Sequence, residues 1–363
     1  MRERVVPIAE TAEAITPAWI TAALRASGHL AGASVTAVDL TPVGTGQMCD
    51  SLRMALTFDG PTDAPATMVA KIPAADETSR ATAKALGSYE NEVRFYQELA
   101  PELPVRTPEV FHADIDVDEA AFILLMEDLA PARQGDQLVG CTPEVAEIAV
   151  NELVNLHAPR WDDPALASMP WLHRDRTAYQ QSMLMLLPTL WDGFRTRYAA
   201  DLGPDVHAAG EAVFGHLEAY MTAETEPWTV IHGDYRLDNL LFDPTPGGVP
   251  VAVVDWQTCA HGPALTDVAY FIGAGLQTDP RREVEEQLVR RYHEGLVAGG
   301  VAGYDWDRCW RDYRRGTWAG LLMAVAASML VEQTDRGDQM FMVMAARHSR
   351  HALDLDAQDT LAG

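Results

Sequence analysis

Asp234, Asn239 and Asp255 are the residues whose types and spacing point to chemistry. A carboxylate is followed five positions on by an amide oxygen, and a second carboxylate closes the next apolar run. They lie in VIHGDYRLDNLLF (230–242) and VAVVDWQ (251–257). Such a set suits phosphoryl transfer. One carboxylate takes the proton of an attacking hydroxyl. The amide oxygen and the other carboxylate suit Mg²⁺, a hard ion shared between one or two protein oxygens and substrate phosphates.

Local geometry supports bringing them together. Residues 240–242 and 251–254 are short apolar runs joined by DPTPGGVP, which reads as a hairpin loop. In an antiparallel hairpin the residue before the first strand lies beside the residue after the second. Asn239 and Asp255, equidistant from Gly247, are therefore expected to converge, with Asp234 a few residues upstream. Any one Asp or Asn would serve equally as a turn cap. What singles out this stretch is HGD, the asparagine at its offset, a strand pair and a terminal aspartate in one run. The same spacing occurs in the kinase catalytic loop H-R-D-L-x-x-x-N, which precedes a metal-binding aspartate.

The elements that must position this site are readable upstream. TPAWITAALRASG (16–28) has Thr16 as N-cap, Pro17 in the first turn and Gly28 as a stop, the marks of an amphipathic helix. Leu52, Met54, Leu56 and Phe58 alternate with polar or small residues, the period of a half-buried strand. Gly44, Thr45 and Gly46 sit in the turn before it, where backbone N–H groups approach phosphate oxygens closely. A third glycine is absent, and Cys49 stands in its place. TMVAKIP supplies another strand, carrying Lys71. In YENEVRFYQELA, Glu92 shares a helical stripe with Phe95, Tyr96 and Leu99, whereas Glu90 aligns with Arg94 and Gln97. Glu92 therefore points inward. A buried carboxylate is costly unless paired, and Lys71 is the predicted partner.

Two further strands follow, PEVFHADI and AFILLMEDL, and the second ends where the composition changes. Backbone groups of Glu127 and Leu129, at that junction, are the expected contacts of an adenine ring. Beyond it the pattern is mainly helical. In TPEVAEIAVNELVNLHA the residues Val145, Ile148, Ala149, Leu153 and Leu156 are predicted to share one buried face. The reading divides the chain into an N-lobe over 1–128 and a C-lobe over 129–363.

Taken together these motifs resemble the aminoglycoside phosphotransferase and choline kinase-like group of small-molecule kinases, over roughly residues 41–275. Branches of that group include ecdysteroid kinase-like proteins and the kinase domains attached to some acyl-CoA dehydrogenases. HGDYRLDNLLF looks particularly like the latter. The resemblance implies an α+β, bilobal, protein-kinase-like fold: an antiparallel β N-lobe with one long helix and a mainly helical C-lobe. It also implies ATP (or GTP) and Mg²⁺ as cofactors. Asp234 would be the catalytic base, Asn239 and Asp255 the metal ligands, and Lys71 with Glu92 the phosphate-positioning pair. Arg236 stands where protein kinases often hold a phosphate-contacting lysine, and its guanidinium would offset developing charge. His232 supports the loop, and Asp267 is similar to a family aspartate that braces it.

Departures from the protein-kinase pattern narrow the acceptor. HGD replaces HRD, DWQ replaces DFG, and residues 255–267 are too few for a regulated activation loop. A small-molecule hydroxyl is the expected acceptor: an antibiotic, a steroid or lipid alcohol, or a hydroxyacyl compound. Trp161, Trp171, Met183, Met185, Trp191, Phe194 and Tyr198 read either as the wall of a pocket for such a molecule or as core. Residues 317–331 read as a buried helix. A catalytically silent nucleotide-binding protein of the same fold is the alternative, but such proteins usually lose one of the Lys, Asp, Asn and Asp set present here. A metal-dependent hydrolase lacks ligands, since no H-E-x-x-H occurs.

Composition sets the remaining bounds. The 363 residues are 48% hydrophobic, enough for one large core or two lobes. A net charge of −26 works against nucleic acid as a partner, because such binding needs Lys and Arg to neutralise phosphates. The four cysteines are scattered without a C-x-x-C pair, against a disulfide framework or zinc site. MRERVVPIAE has no apolar h-region of the kind a signal peptide carries, and the uncharged stretch 316–331 is too short to span a bilayer comfortably. No membrane association is expected, and the cytoplasm is the expected location.

Overall fold

Leu52, Met54 and Leu56 are buried while Arg53, Ala55 and Thr57 are exposed, the alternation that makes Cys49–Phe58 a strand with one face in a core. It is the second of five antiparallel strands: β1 (Val35–Pro42), β2 (Cys49–Phe58), β3 (Thr67–Pro73), β4 (Val110–Asp116) and β5 (Ala121–Glu127). Their spatial order is β1-β2-β3-β5-β4. The computed structural model describes residues 6–44, 48–172 and 176–361. Two compact units make up the chain, and this sheet belongs to the first, which comprises Met1–Glu102, Thr107–Pro131 and Asp255–Gln257.

One face of the sheet is covered by α1 (Pro17–Ala26), capped by the Thr16 hydroxyl, which accepts from Trp19 N–H at 3.2 Å. Ile20, Ala23 and Leu24 pack with Leu52, Met54, Met68, Ala70, Phe111, Ile123 and Leu125. Complete burial of Ile20 and Leu24 contributes about 2 kcal/mol each. Because Ala70 and Ile72 belong to this core, Lys71 between them projects from the opposite face.

That opposite face meets α3 (Ser88–Arg94), which follows α2 (Glu77–Leu86). Gly87, at φ +70°, ends α2 in a left-handed cap that favours glycine. From Phe95 to Leu99 the helix widens into a π turn. Tyr89 on α3 lies against Phe122 of β5, ring centroids 4.6 Å apart. The detached piece Asp255–Gln257 is pinned here by Trp256, stacked on Phe95 at 3.6 Å and 9°.

The second unit, Leu103–Arg106, Ala132–Val254 and Thr258–Gly363, is mainly helical. Along the chain come β6 (Arg133–Gln134), α4 (Pro143–His157), α5 (Arg176–Arg197), α6 (Pro204–Gly215), α7 (Leu217–Thr222), β7 (Thr229–Ile231), β8 (Leu240–Phe242), β9 (Ala252–Val253) and β10 (Ala260–Gly262). Four helices follow: α8 (Leu265–Gly275), α9 (Thr278–Ala298), α10 (Trp306–Leu330) and α11 (Asp335–Asp354). Small sheets β6-β8-β9 and β10-β7 lie among them. Helix α8 is buried along almost its whole length, and residues 317–330 fall on α10, with Val331 as its C-cap; Trp318, Leu321, Leu322 and Val325 of that helix join the core.

Two expectations about faces change. Of the apolar stripe, Trp191, Phe194 and Tyr198 pack with Val213, Trp318 and Phe341 in the core, while Met185 is 74% exposed. On α4 the buried positions are Ala146, Ala149, Val150, Leu153, Leu156 and His157. Ile148 is exposed and Val145 only half-buried. The helix is rotated so that His157 meets Tyr292 of α9 and Asp267 of α8.

Candidate active site

The loop after β7 is held from below by one carboxylate. Asp267 on α8 is buried, accepting His232 N–H at 2.6 Å through Oδ2 and Gly233 N–H at 2.9 Å through Oδ1. Gly233 has φ +79°, and a Cβ there would lie 2.5 Å from the Thr258 carbonyl oxygen. Only glycine fits that turn. His232 donates from Nε2 to Val254 O at 3.0 Å and accepts Asp234 N–H at Nδ1. One ring tautomer satisfies both bonds.

Above this support Asp234 is gripped through both carboxylate oxygens. Tyr270 donates its hydroxyl to Oδ1 at 2.7 Å, and Asn239 Nδ2 donates to Oδ2 at 2.9 Å. Arg236 Nε lies 3.1 and 3.0 Å from the two. The side chain nevertheless keeps 21% of its surface exposed, so a ligand can reach it. Burial, with Asp234 beside it, pushes the Tyr270 phenol well above the usual tyrosine range, so it remains a donor.

Arg236, expected at phosphate, directs Nε to Asp234 and Nη1 to Asp238 at 2.5 Å and to Met340 Sδ at 3.1 Å. Burial alone would lower this guanidinium, but Asp234, Tyr270 and Asp238 outweigh it and hold it above the usual arginine range. Asp238 in turn accepts Gln137 N–H at 3.0 Å, and Gln137 Oε1 accepts Leu237 N–H at 3.0 Å. This reciprocal pair clamps the short turn Leu237–Asn239 to the segment after β6.

The hairpin forms with a register one residue from that expected. Leu240 pairs with Val253 and Leu241 with Ala252. Val254 N–H donates to Asn239 O at 3.0 Å, setting Asn239 opposite Val254 and not Asp255. Counting from Gly247 assumed a symmetric loop. The loop is asymmetric: Asp243 N–H bonds Val249 O, and Asp243 Oδ1 caps Thr245 N–H.

In the first unit the other predicted residues gather. Lys71 Nζ lies 2.7 Å from Glu92 and 2.9 Å from Asp255 Oδ1. Glu92 and Lys71 are nearly closed to solvent, with side chains 1% and 8% exposed, whereas Asp255 keeps 36%. Burial pulls the ammonium down, but the carboxylates of Asp255 and Glu92 hold it well above the usual lysine range. Asp255 itself has φ +67°, a left-handed conformation that aspartate tolerates better than most residues. Its two successors hold it there: Trp256 by the stack on Phe95, and Gln257 by accepting Asn91 Nδ2 at 3.0 Å and donating to Cys49 Sγ at 3.3 Å. Burial pushes the Cys49 thiol up to about 12, so it stays protonated.

Glu127 closes β5, paired with Met68 and bonded to Glu109. Leu129 is buried, and among the described residues its backbone N–H and C=O have no partner. Gly44 has φ +78° and, among the described residues, open space beside it. Thr45 and Gly46 lie outside the described residues. Lys71, Glu92 and Asp255 are thus brought together in one unit, and Asp234, Arg236 and Asn239 in the other.

Four contributors escaped sequence reasoning: Tyr270, Asp238, Gln137 and Met340. For Tyr270 a signal existed, because it falls three positions after Asp267 on the same helix and hence on the same face. Gln137 and Met340 come from distant segments, with no local pattern to mark them.

Residues 60–310 match the model of the APH phosphotransferase enzyme family. Among curated proteins, acyl-CoA dehydrogenase family member 11 of Gallus gallus is 34% identical over 77 residues, 21% of this chain and 10% of that protein. Acyl-CoA dehydrogenase family member 10 of Mus musculus is 50% identical over 42 residues, 12% of this chain and 4% of that one. The chain therefore spans a tenth or less of these relatives. Among solved structures, a choline/ethanolamine kinase family protein from Mesorhizobium loti aligns at TM-score 0.45 and 16% identity, covering 87% of this chain and 92% of the other. An aminoglycoside-3'-phosphotransferase of type VIII aligns at TM-score 0.46 and 22% identity, covering 82% and 97%.

Proposed function

We propose that this chain, which belongs to the phosphotransferase enzyme family, transfers the terminal phosphoryl group of a nucleoside triphosphate, ATP or GTP, to a hydroxyl of a small molecule. The observation that carries this reading is Asp234: its carboxylate is fixed by Tyr270, Asn239 and Arg236 yet 21% exposed. A general base needs that combination of fixed direction and access.

In this reading Asp234 accepts the proton of the acceptor hydroxyl as its oxygen bonds to phosphorus and the nucleoside diphosphate departs. Lys71, kept cationic and aimed by Glu92, offsets charge on the phosphates. The open backbone groups of Leu129 are suited to a purine edge. In this reading Asn239 and Asp255 are the oxygen donors for Mg²⁺. Asn239 commits its amide nitrogen to Asp234, which directs Oδ1 away, and Asp255 is a partly exposed carboxylate. Mg²⁺ takes several of its ligands from water and phosphate, so two protein oxygens suffice. When bound, Mg²⁺ would neutralise phosphate charge, with Asn239 and Asp255 as its protein ligands.

The acceptor classes are an antibiotic, a steroid or lipid alcohol, and a hydroxyacyl compound. ATP and GTP consumption across a panel of these, with wild type and Asp234→Ala, tests the reading. Asp234→Ala is expected to lower turnover by about 10²–10⁴-fold while the nucleotide-induced rise in Tm persists. Full turnover in that variant refutes the assignment. Nucleotide binding without consumption on any acceptor points to the catalytically silent alternative.

A further inference from the structure

Tyr270 is given no contact with nucleotide or acceptor in the reaction described above, yet its hydroxyl meets the residue on which that reaction turns. We infer that Tyr270 is a positioning residue, holding the Asp234 carboxylate in the one orientation from which it meets the acceptor hydroxyl. The inference rests on the reading of Asp234 as the base.

Geometry carries it. Tyr270 and Asp267 share one face of α8. Asp267 fixes the backbone of His232 and Gly233, and Tyr270 fixes the side chain of the next residue through a 2.7 Å bond to Oδ1. One rigid helix thus sets both the path of the loop and the direction of its carboxylate. On the other oxygen, Asn239 Nδ2 and Arg236 Nε bond Oδ2 at 2.9 and 3.0 Å. Rotation of the carboxylate breaks a bond on one side or the other.

The tyrosine ring is itself immobilised. It is 3% exposed and stacks on the His348 ring of α11, centroids 5.2 Å apart and planes at 23°. His348 is wholly buried, and neither ring nitrogen has a hydrogen-bond partner among the described residues. Burial pushes it down to about 3, so the ring is neutral at any working pH and acts as a flat platform. Room for that platform exists because two glycines face it. A Cβ on Gly273 of α8 would stand 2.7 Å from His348 Nδ1, and one on Gly320 of α10 would overlap the ring. Helices α8, α10 and α11 therefore jointly fix the plane of the phenol. A buried tyrosine needs one acceptor for its hydroxyl, and here the acceptor is the partly exposed carboxylate of the base.

The test compares wild type, Tyr270→Phe, Asp234→Ala and the double variant, using the nucleotide and an acceptor that support turnover. Tyr270→Phe removes one oxygen and leaves the ring on its platform. Its kcat is expected to fall about 10–100-fold, the scale of a misplaced reacting group, with the nucleotide KM and Tm close to wild type. In the Asp234→Ala background the same substitution is expected to change residual turnover less than twofold, because no carboxylate remains to be aimed. A kcat for Tyr270→Phe within twofold of wild type, beside an inactive Asp234→Ala, overturns the positioning role and leaves the base intact. An equal fall in both backgrounds also overturns it, since the hydroxyl then acts elsewhere. Full turnover in Asp234→Ala overturns the base and the positioning role together. A measurement independent of the folding of Tyr270→Phe uses tyrosine ¹³C-labelled at Cζ and inserted at 270. Its signal is expected to move between wild type and Asp234→Ala, and an unmoved signal overturns the inference.

Discussion

Replacing Lys71 by methionine removes the cation from a buried ion pair while roughly preserving its volume. Glu92, with 1% of its side chain exposed, is then left as a buried carboxylate without its ammonium partner. Breaking a buried pair from one side typically costs about 3–5 kcal/mol. The carboxyl has one escape, which is to take up a proton. From its ordinary value of 4.5 to neutral pH, at about 1.4 kcal/mol per pH unit, that escape costs about 3.4 kcal/mol. The loss at about pH 7 is therefore expected near 3 kcal/mol. Asp255 adds little, since its 36% exposed side chain can turn to water.

The sign of the pH dependence follows. In the variant, Glu92 has a folded-state pKa above its unfolded value. The protonated form carries no penalty below the unfolded value, and stability is lost as pH rises above it. In wild type burial also raises Glu92, and the Lys71 ammonium offsets part of that shift. The difference between the two proteins should thus shrink by about 1.4 kcal/mol per unit on acidification and approach zero near the ordinary glutamate value. Urea denaturation at about pH 5 and pH 7 measures it. Lys71→Met/Glu92→Leu should recover most of the loss, because an apolar pair of similar volume replaces a buried ion pair at little cost. A loss below about 1 kcal/mol at neutral pH, equal losses at both pH values, or a double variant no better than the single would refute this account.

Two further substitutions test the loop. Asp267→Ala leaves the His232 and Gly233 N–H groups without their acceptor; at about 1–3 kcal/mol for each unsatisfied donor, denaturation should register a loss of about 3 kcal/mol together with lower kcat, and an unchanged midpoint would contradict the bracing role. Gly233→Ala meets the Thr258 carbonyl at φ +79°, a conformation costing of order 1–3 kcal/mol for a non-glycine residue before any clash. Turnover should fall at least about tenfold, and wild-type turnover would show that the turn can shift freely.

Much of this arrangement was legible because it is encoded over a few neighbouring residues. Strand β3 was readable with its lysine, and so was α1 with its Thr16 cap. The inward face of Glu92 followed from helical spacing. Given an inward carboxylate and a strand lysine, pairing was the cheapest way to bury both. What could not be read depended on how separate segments meet. The hairpin runs were visible, but their register was set by bonds inside an asymmetric loop, and those moved Asn239 opposite Val254. The rotation of α4 follows the contacts of His157 with α8 and α9, which lie far along the chain.

The partners of Arg236 belong to the same class. Sequence placed a guanidinium two residues from Asp234, and tertiary structure assigned it to Asp234, Asp238 and Met340. By itself the chain determined the chemistry available, because residue type and short-range periodicity suffice to present a carboxylate, an amide and a lysine on defined elements. Only the folded structure decided how the carboxylate at 234 is aimed. Its direction depends on a phenol from α8 resting on a histidine from α11, and contacts between distant segments leave no periodic trace along the chain.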